Sequence, residues 1–402
     1  MDLHYGEEHE RFRDEVREFL EGWPLTGDEA KLPREEQQAL FRNRATRRGY
    51  VYRDIPAEYG GGGQQPDVLK DAICRDEFHQ AGAPGAEPTQ GPALLAPTLI
   101  EFGSEEQRRR FVPPTLRGEM RWCQGYSEPG SGSDLASLQC SALLAGDEWV
   151  INGQKIWTSN AQDADYRFGL FRSETAAPKH QGISYLLVPL DQPGIEIRPL
   201  KQMTGGMDFN EIFFENARTP ADHIVGERGQ GWQVSRATLK HERNLIAHPN
   251  LMREHFESLV DLARTQQRGG APAILDPGIR QRLAEIECTV RTNETSNLRQ
   301  LSASARGEER ECILPMMMNK LYSTDAMQML MKLAYDLVGS DGMLAPRERD
   351  LASYQRGEGP TGWVEQYVFS LGPAIAGGAT NIQLNIIGER GYGLPRDLRP
   401  SA

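Results

Sequence analysis

Cys123-Gln-Gly-Tyr-Ser-Glu-Pro-Gly-Ser-Gly-Ser-Asp134, followed 23 residues later by Trp157-Thr158-Ser159, is the stretch on which the reading of this chain turns. Glycines at 130 and 132 allow close main-chain approach and Pro129 fixes a turn. The hydroxyls of Ser127, Ser131 and Ser133 are donors for anionic oxygens. An indole followed by two hydroxyls offers a flat ring an apolar face and a polar edge. Alone, a Gly-Ser loop reads as a surface turn. Joined to Trp157-Thr-Ser159, it suits a diphosphate attached to a planar ring, which suggests a flavin.

Between the two segments, Glu148-Trp-Val-Ile151 and Gln154-Lys-Ile-Trp157 flank Asn152-Gly153. Asn-Gly between apolar runs predicts a hairpin turning at that dipeptide. Upstream, Phe12, Val16, Phe19 and Leu20 form one apolar stripe, and helices are expected to about residue 120. From about 122 to 226 the pattern changes to short β-rich runs, including Gly182-Ile-Ser-Tyr-Leu-Leu-Val188 and Glu211-Ile-Phe-Phe214. After Gly229-Gln-Gly231 helical periodicity resumes almost to the end, broken at Gly269-Gly-Ala-Pro272 and Gly339-Ser-Asp-Gly342. A chain of 402 residues exceeds one core, so two or three domains are expected, and the pattern changes divide it into 1–121 helical, 122–228 β and 229–402 helical.

The net charge of −12 argues against a nucleic-acid partner. The triplet Arg108-Arg-Arg110 reads as a solvated helix end. No run approaches the ~18 apolar residues of a membrane span, and the acidic start Met1-Asp-Leu-His carries no targeting signal, so a cytoplasmic protein is expected. The five cysteines show no CxxC spacing, so neither a metal site nor a disulfide framework is expected. Gly60 to Gly63 lacks the Lys-Ser/Thr of a nucleotide loop and reads as a connector.

Tyr126-Ser-Glu-Pro-Gly-Ser-Gly-Ser-Asp134 and Asn152-Gly-Gln-Lys-Ile-Trp-Thr-Ser159 resemble the acyl-CoA dehydrogenase flavoprotein family in order and spacing. So do Ile55-Pro-Ala-Glu-Tyr-Gly-Gly61, Phe102-Gly-Ser-Glu-Glu-Gln107, Met203-Thr-Gly205, Asn210-Glu-Ile-Phe-Phe214, Gly229-Gln-Gly-Trp232 and Asn385-Ile-Ile-Gly-Glu-Arg390. The resemblance implies a mainly α fold with a β-barrel-like middle domain and a C-terminal four-helix bundle. It also implies FAD and an acyl thioester substrate, carried by CoA or by an acyl carrier protein. The electron acceptor would resemble electron-transfer flavoprotein, and the assembly would be a homo-oligomer, tetramer or dimer.

By that resemblance Gln124, Gly125, Tyr126, Ser127, Gly132 and Ser133 run along the flavin, with Tyr126 and Ser127 near the ring's polar edge. Ser133 would lie near the diphosphate and touch the CoA arm of substrate. Trp157 would cover the ring, Thr158 would accompany it, and Ser159 would bond flavin N5. Oxidising a thioester between its α and β carbons needs a carboxylate base opposite the flavin. Many relatives place it in a C-terminal Tyr-Glu-Gly-Thr segment, where this chain has Ala376-Gly377-Gly378-Ala379.

Another carboxylate stands on the segment Gly231 to Ile246. Trp232, Leu239 and Ile246 repeat at seven there, and Glu242 falls three after Leu239 and four before Ile246, on an inward face. Some relatives carry their base in a Glu-Arg pair on this helix, which Glu242-Arg243 resembles, and an ion pair is the bland alternative. The neighbouring His241 is the weaker candidate. Arg243 would contact CoA or hold Glu242, and the Gly377 amide would meet the thioester carbonyl.

Departures from the family's pattern are an absent Arg-Phe-Gly segment around Arg299 to Ile313 and Ala379 in place of threonine. Thr380 and Asn381 would then serve the adenylate end, and Lys240 stands where many relatives have an acid. Resemblance to the subgroup with Trp122-Cys-Gln-Gly-Tyr-Ser-Glu-Pro suggests bulky or branched acyl groups. Two other readings remain open: a non-catalytic subunit of a mixed tetramer, and a flavin-dependent hydroxylase on the same fold.

Overall fold

A computed structural model describes residues 5–84, 89–246, 249–343 and 359–395. The described residues divide into two compact units, one up to Glu242 and one from Arg243 onward.

In the first unit, five helices precede the sheet: α1 (Glu7–Leu20), α2 (Arg34–Arg47), α3 (Val68–Gln80), α4 (Ala96–Phe102) and α5 (Glu105–Arg117). The stripe on α1 behaves as its spacing predicts. Val16 and Leu20 are buried, and Phe12 and Phe19 pack beside them against Phe41, Cys74 and Phe78. Helix starts follow side-chain chemistry: Asp67 accepts from the amides of Leu69 and Lys70, and Ser104 and Gln107 close a capping box at α5. Arg108 to Arg110 therefore sit near the start of α5, not at its end. There Arg109 pairs with Glu58 and Glu105, which offsets an unfavourable position for cations.

The strands are β1 (Trp122–Gly125), β2 (Ser141–Ala145), β3 (Glu148–Ser159), β4 (Tyr166–Arg172), β5 (Ile183–Pro189), β6 (Ile195–Leu200), β7 (Phe209–Pro220) and β8 (Ile224–Val225). They form one sheet in the order β6-β7-β3-β2-β4-β5-β8, with β1 parallel to β4. Alternation along β4 and β5 builds two cores. Phe168, Leu170, Tyr185 and Leu187 face α4 and α5, whereas Phe171, Leu186 and Val188 face the opposite way. The latter meet Ile212, Phe214 and Ala217 from β7, so strands from opposite ends of the sheet share one enclosed core.

The expected hairpin at Asn152-Gly153 does not form. β3 runs unbroken through that dipeptide, and the reversal lies at Gly146-Asp147, where Ala145 pairs with Glu148 and Gly146 has φ 69°. Asn152 instead accepts from the amide of Asn216 at 2.8 Å, opposite a bulge where Asn216 has φ 53°. A Cβ on Gly153 would lie 2.8 Å from the Cys140 main chain, so close packing rather than turning requires this glycine.

Helix α6 (Gly231–Ile246) follows the sheet. In the first unit its most buried positions are Val234, Ser235 and Thr238, while Trp232 and Leu239 are only partly covered. The inward line predicted from Trp232 and Leu239 is thus rotated onto hydroxyl residues. The Thr238 hydroxyl lies 3.0 Å from that of Thr98, and hydrogen bonding makes their burial affordable.

In the second unit, α7 (Pro249–Thr265), α8 (Pro277–Ala305), α9 (Ile313–Val338) and α10 (Gly359–Ser370) surround a single core, and α11 (Thr380–Ile386) follows. Met252, Phe256, Leu259 and Ala263 on α7, and Ile279, Leu283, Ile286 and Val290 on α8, show the steps of four and three that bury one helix face. Among the described residues no helix is long and apolar enough to cross a membrane. The five cysteines are free thiols, and only Cys288 is exposed.

His255 on α7 is 7% exposed, and burial pushes its pKa down to about 4. The unfolded chain takes up its proton near pH 6.5, so this site lowers stability progressively as pH falls from about 6.5 to 4. The loss is on the order of 3 kcal/mol. Urea denaturation across that range is expected to show a flatter pH dependence for His255→Gln than for the wild type. An equally steep fall in both would contradict this assignment.

Candidate active site

The loop after β1 is held from below by a carboxylate. Glu128, 8% exposed, accepts from the amides of Gln139 at 2.6 Å and Cys140 at 2.9 Å and from Lys155 Nζ at 2.8 Å. Lys155 is wholly buried on β3 and also donates to the Tyr126 carbonyl at 3.0 Å. Burial pulls its ammonium pKa down, and the Glu128 carboxylate opposes that pull. Glu128 and Ser131 exchange main-chain hydrogen bonds, which closes the turn at Pro129-Gly130.

Past this turn the loop opens outward. Gly132, Ser133 and Asp134 are exposed, and Cβ atoms built on Gly130 and Gly132 would meet nothing within 4 Å. Ser131 does not share this role. Its side chain is buried and its hydroxyl donates to the Asp134 carbonyl at 2.9 Å, so it shapes the loop from inside. Asp134 is bound by Lys179 Nζ at 2.6 Å.

The second segment is brought to the first by a bulge. Between Lys155 and Thr158 the β3–β7 register slips by one residue, and the Ile156 amide donates to the Ser127 carbonyl at 3.0 Å instead of to β7. Trp157 takes φ 60°, and its indole is 59% exposed, edge-on to Phe209. A large aromatic held outward by a left-handed residue at a bulge is a prepared apolar face. Thr158 is buried, with its hydroxyl unpartnered among the described residues, and Ser159 is half-buried.

The remaining loop residues divide by role. Gln124 donates its amide to Gln90 Oε1 at 2.7 Å. The Gly125 carbonyl accepts from Arg167 Nη2 at 2.6 Å. The Tyr126 ring is buried between Phe168 and Tyr185. Ser127 is half-buried beside the bulge.

Two candidates lie on α6: Glu242 and Arg243 belong to its helical backbone, and their side chains lie outside the described residues. In the second unit Gly377 and Gly378 have φ 59° and 95°. The Gly377 carbonyl accepts from Gln383 Nε2 at 3.2 Å, and the Gly378 carbonyl accepts from buried Lys320 Nζ at 2.8 Å. Thr380 turns its hydroxyl onto the Ala374 carbonyl at 3.2 Å, whereas Asn381 is exposed. A groove of about 610 Å³ beside α7 and α8 includes none of these residues. Its mouth, lined by Glu257, Asp261, Arg264, Arg280 and Glu287, is that of a solvent-filled surface cleft.

Sequence reading assigned no role to Lys155, Glu128, Gln90, Lys320 or Arg167. Lys155 and Glu128 lay inside the quoted motifs. Arg167 had one visible signal, a cation in the interior of a strand whose neighbouring residues are aromatic, apolar or glycine.

Residues 6–119, 123–217 and 229–392 match, in turn, the N-terminal, middle and C-terminal domains of acyl-CoA dehydrogenase. The chain belongs to the acyl-CoA dehydrogenase family. It is 39% identical over 402 residues to the acyl-CoA dehydrogenase IpdE1 of Mycobacterium tuberculosis, covering 97% of this chain and 99% of that one. Among solved structures, a Tcur3481-Tcur3483 steroid ACAD matches with TM-score 0.78 and 28% identity, over 99% of this chain and 100% of the other. The ChsE4-ChsE5 complex from Mycobacterium tuberculosis matches with TM-score 0.77 and 28% identity, over 99% of this chain and 100% of the matched one.

The protein is thus an oxidoreductase of the acyl-CoA dehydrogenase type, mainly helical around a middle sheet, and its cofactor is FAD. The residues present fit that group. Open space fronts Gly130 and Gly132, Ser133 is exposed, and the Trp157 indole stands uncovered beside the buried Thr158 hydroxyl, which has no partner among the described residues. Removing one partner of the buried pair beneath the loop is expected to be severe. Lys155→Met should lower stability by about 3–5 kcal/mol and reduce bound FAD per chain, read by urea denaturation and by flavin absorbance. Unchanged stability and a full flavin complement would contradict this role.

Proposed function

We propose that the protein introduces an α,β double bond into an acyl-CoA thioester, with Glu242 as the base that removes the α proton. FAD, when bound, supplies the acceptor for the hydride leaving the β carbon. The observation that carries the choice of base is the register of α6. Position 242 stands seven residues after Ser235 and four after Thr238, the two most buried polar positions of that helix. A carboxylate continuing a buried line loses hydration, which raises its proton affinity toward the range useful for general-base work. Gly377 cannot supply a base, having no side chain, and leaves this role to α6.

The other roles extend the same reading. Ser133, exposed at the loop tip, is assigned to the diphosphate and the CoA arm, and Gln124 to Ser127 to the flavin, with Tyr126 and Ser127 near the ring's polar edge. Trp157, Thr158 and Ser159 are assigned to the ring itself. The Gly377 amide would stabilise charge developing on the thioester oxygen. Arg243 would contact CoA or hold Glu242, and Asn381, exposed, is a better adenylate contact than Thr380, whose hydroxyl is engaged. The domain divisions at 121/122 and 228/229, a cytoplasmic location and an acceptor resembling electron-transfer flavoprotein belong to the same proposal.

The solved relative described as a steroid ACAD favours a bulky, ring-bearing acyl group over a short linear one. The ChsE4-ChsE5 complex contains two kinds of subunit, which favours a mixed assembly as a second reading alongside a homo-oligomer. In the extreme form of that reading this chain is the non-catalytic partner, and purified protein would carry no yellow chromophore. An oxygen-using hydroxylase would consume dioxygen and would not need Glu242.

Anaerobic addition of a panel of acyl-CoA thioesters is expected to bleach the flavin of the wild-type protein. Glu242→Gln should retain FAD and slow bleaching by at least about a hundredfold. Bleaching at the wild-type rate in that variant would remove Glu242 from the mechanism.

A further inference from the structure

Arg167 is wholly buried on β4 and faces the enclosed core of the sheet. Of its guanidinium nitrogens, Nη2 donates to the Gly125 carbonyl at 2.6 Å, while Nε and Nη1 have no partner among the described residues. Its guanidinium carbon lies 4.8 Å from the ring centre of Phe214 and 5.5 Å from that of Phe171. Beside it are Cys123 and Cys140, whose thiols burial keeps protonated. The carboxylate near this core, Glu128, is already bound to Lys155. Two buried cations thus share one buried anion.

The sheet is shaped around this charge. Gly125 and Gly169 face each other across the parallel β1–β4 pair. A Cβ on Gly125 would fall 1.5 Å from Arg167 Nη2, and one on Gly169 would fall 3.0 Å from it. Two glycines therefore form the slot into which the guanidinium fits, directly under the main chain of the flavin loop. A structural cation in an apolar core would be expected to have its nitrogens paired. Among the described residues its one hydrogen bond is to the loop, with aromatic faces beside it, and the excess positive charge is left to act through that bond.

We infer that Arg167 is a positioning residue for the flavin: it fixes the Gly125 peptide and places an uncompensated positive charge beneath the loop, which favours reduced flavin, with its added negative charge, over oxidised flavin. The inference rests on the assignment of Gln124 to Ser133 to FAD, and it is independent of the identity of the base. Arginine is suited to this because the downward pull of burial on its pKa starts from the highest value of any side chain.

The test compares Arg167→Lys, Arg167→Gln and the wild type, each as FAD-loaded full-length protein. Thermal melting and FAD content establish that each variant is folded and loaded, and the flavin midpoint potential is then measured by dye equilibration. Arg167→Lys keeps a charge and is expected to keep the wild-type potential. Arg167→Gln keeps an amide donor for the Gly125 carbonyl but loses the charge. Its preference for the reduced state should fall at least tenfold, about 30 mV for a two-electron couple.

A loaded Arg167→Gln with the wild-type potential would overturn the proposal and leave Arg167 a packing residue. If Arg167→Gln fails to load, the potential of Arg167→Lys decides: a value well below the wild type with the charge present would equally overturn it. Bleaching of wild-type protein by acyl-CoA, recorded separately, tells failure of this inference from failure of the dehydrogenase reading.

Discussion

The loop proposed to hold the cofactor depends on one buried carboxylate. Glu128 draws together the start of the loop, the main chain at Gln139 and Cys140, and the Lys155 ammonium on β3. Its interactions are strong because the surroundings exclude water, and for the same reason none can be removed cheaply. Glu128 sets the turn at Pro129-Gly130. Lys155 fixes the strand whose next residues are Ile156 and Trp157. The outward loop tip and the outward indole are thus two results of one ion pair, which links the two motifs across the residues that separate them.

Electrostatics and packing divide the work in the middle sheet. The face toward α4 and α5 is apolar and aromatic, and the Tyr126 ring belongs to it, so the loop after β1 is anchored on that side by burial. The opposite face encloses Phe171, Ile212 and Phe214 together with Lys155 and Arg167. Aromatic faces help to hold those cations where carboxylates are scarce. One side of the loop is consequently fixed by area removed from water and the other by charge.

The order of helical, β and helical segments was legible because hydrophobic period changes from 3.6 to 2 and back along the chain. The loop stood out because few arrangements need Gly130, Gly132, Ser133 and an aromatic-hydroxyl segment together, and its tip and the Trp157 indole are exposed as a ligand face would be. The turn at Asn152-Gly153 was misread for a physical reason. Asn-Gly suits a hairpin, but it also suits a strand facing a bulge, and only the cross-strand bond to Asn216 distinguishes the two. On α6, apolar spacing pointed to Trp232 and Leu239 although Ser235 and Thr238 are more deeply buried. Hydroxyls that pair across a core, as Thr98 and Thr238 do, are invisible to a pattern that counts apolar residues. Arg167 was hidden likewise, since the slot that takes its side chain needs Gly125, 42 residues away, beside Gly169 on its own strand.

The central claim is that substrate oxidation breaks a C–H bond at the α carbon as a proton and one at the β carbon as a hydride. Its most direct test is the anaerobic rate of flavin bleaching by an accepted acyl-CoA carrying deuterium at the α position, the β position or both. The account predicts slower bleaching from either label and the slowest from both, with the 2-enoyl thioester as product. Bleaching indifferent to both labels, or turnover that requires dioxygen and yields a hydroxylated product, would contradict it.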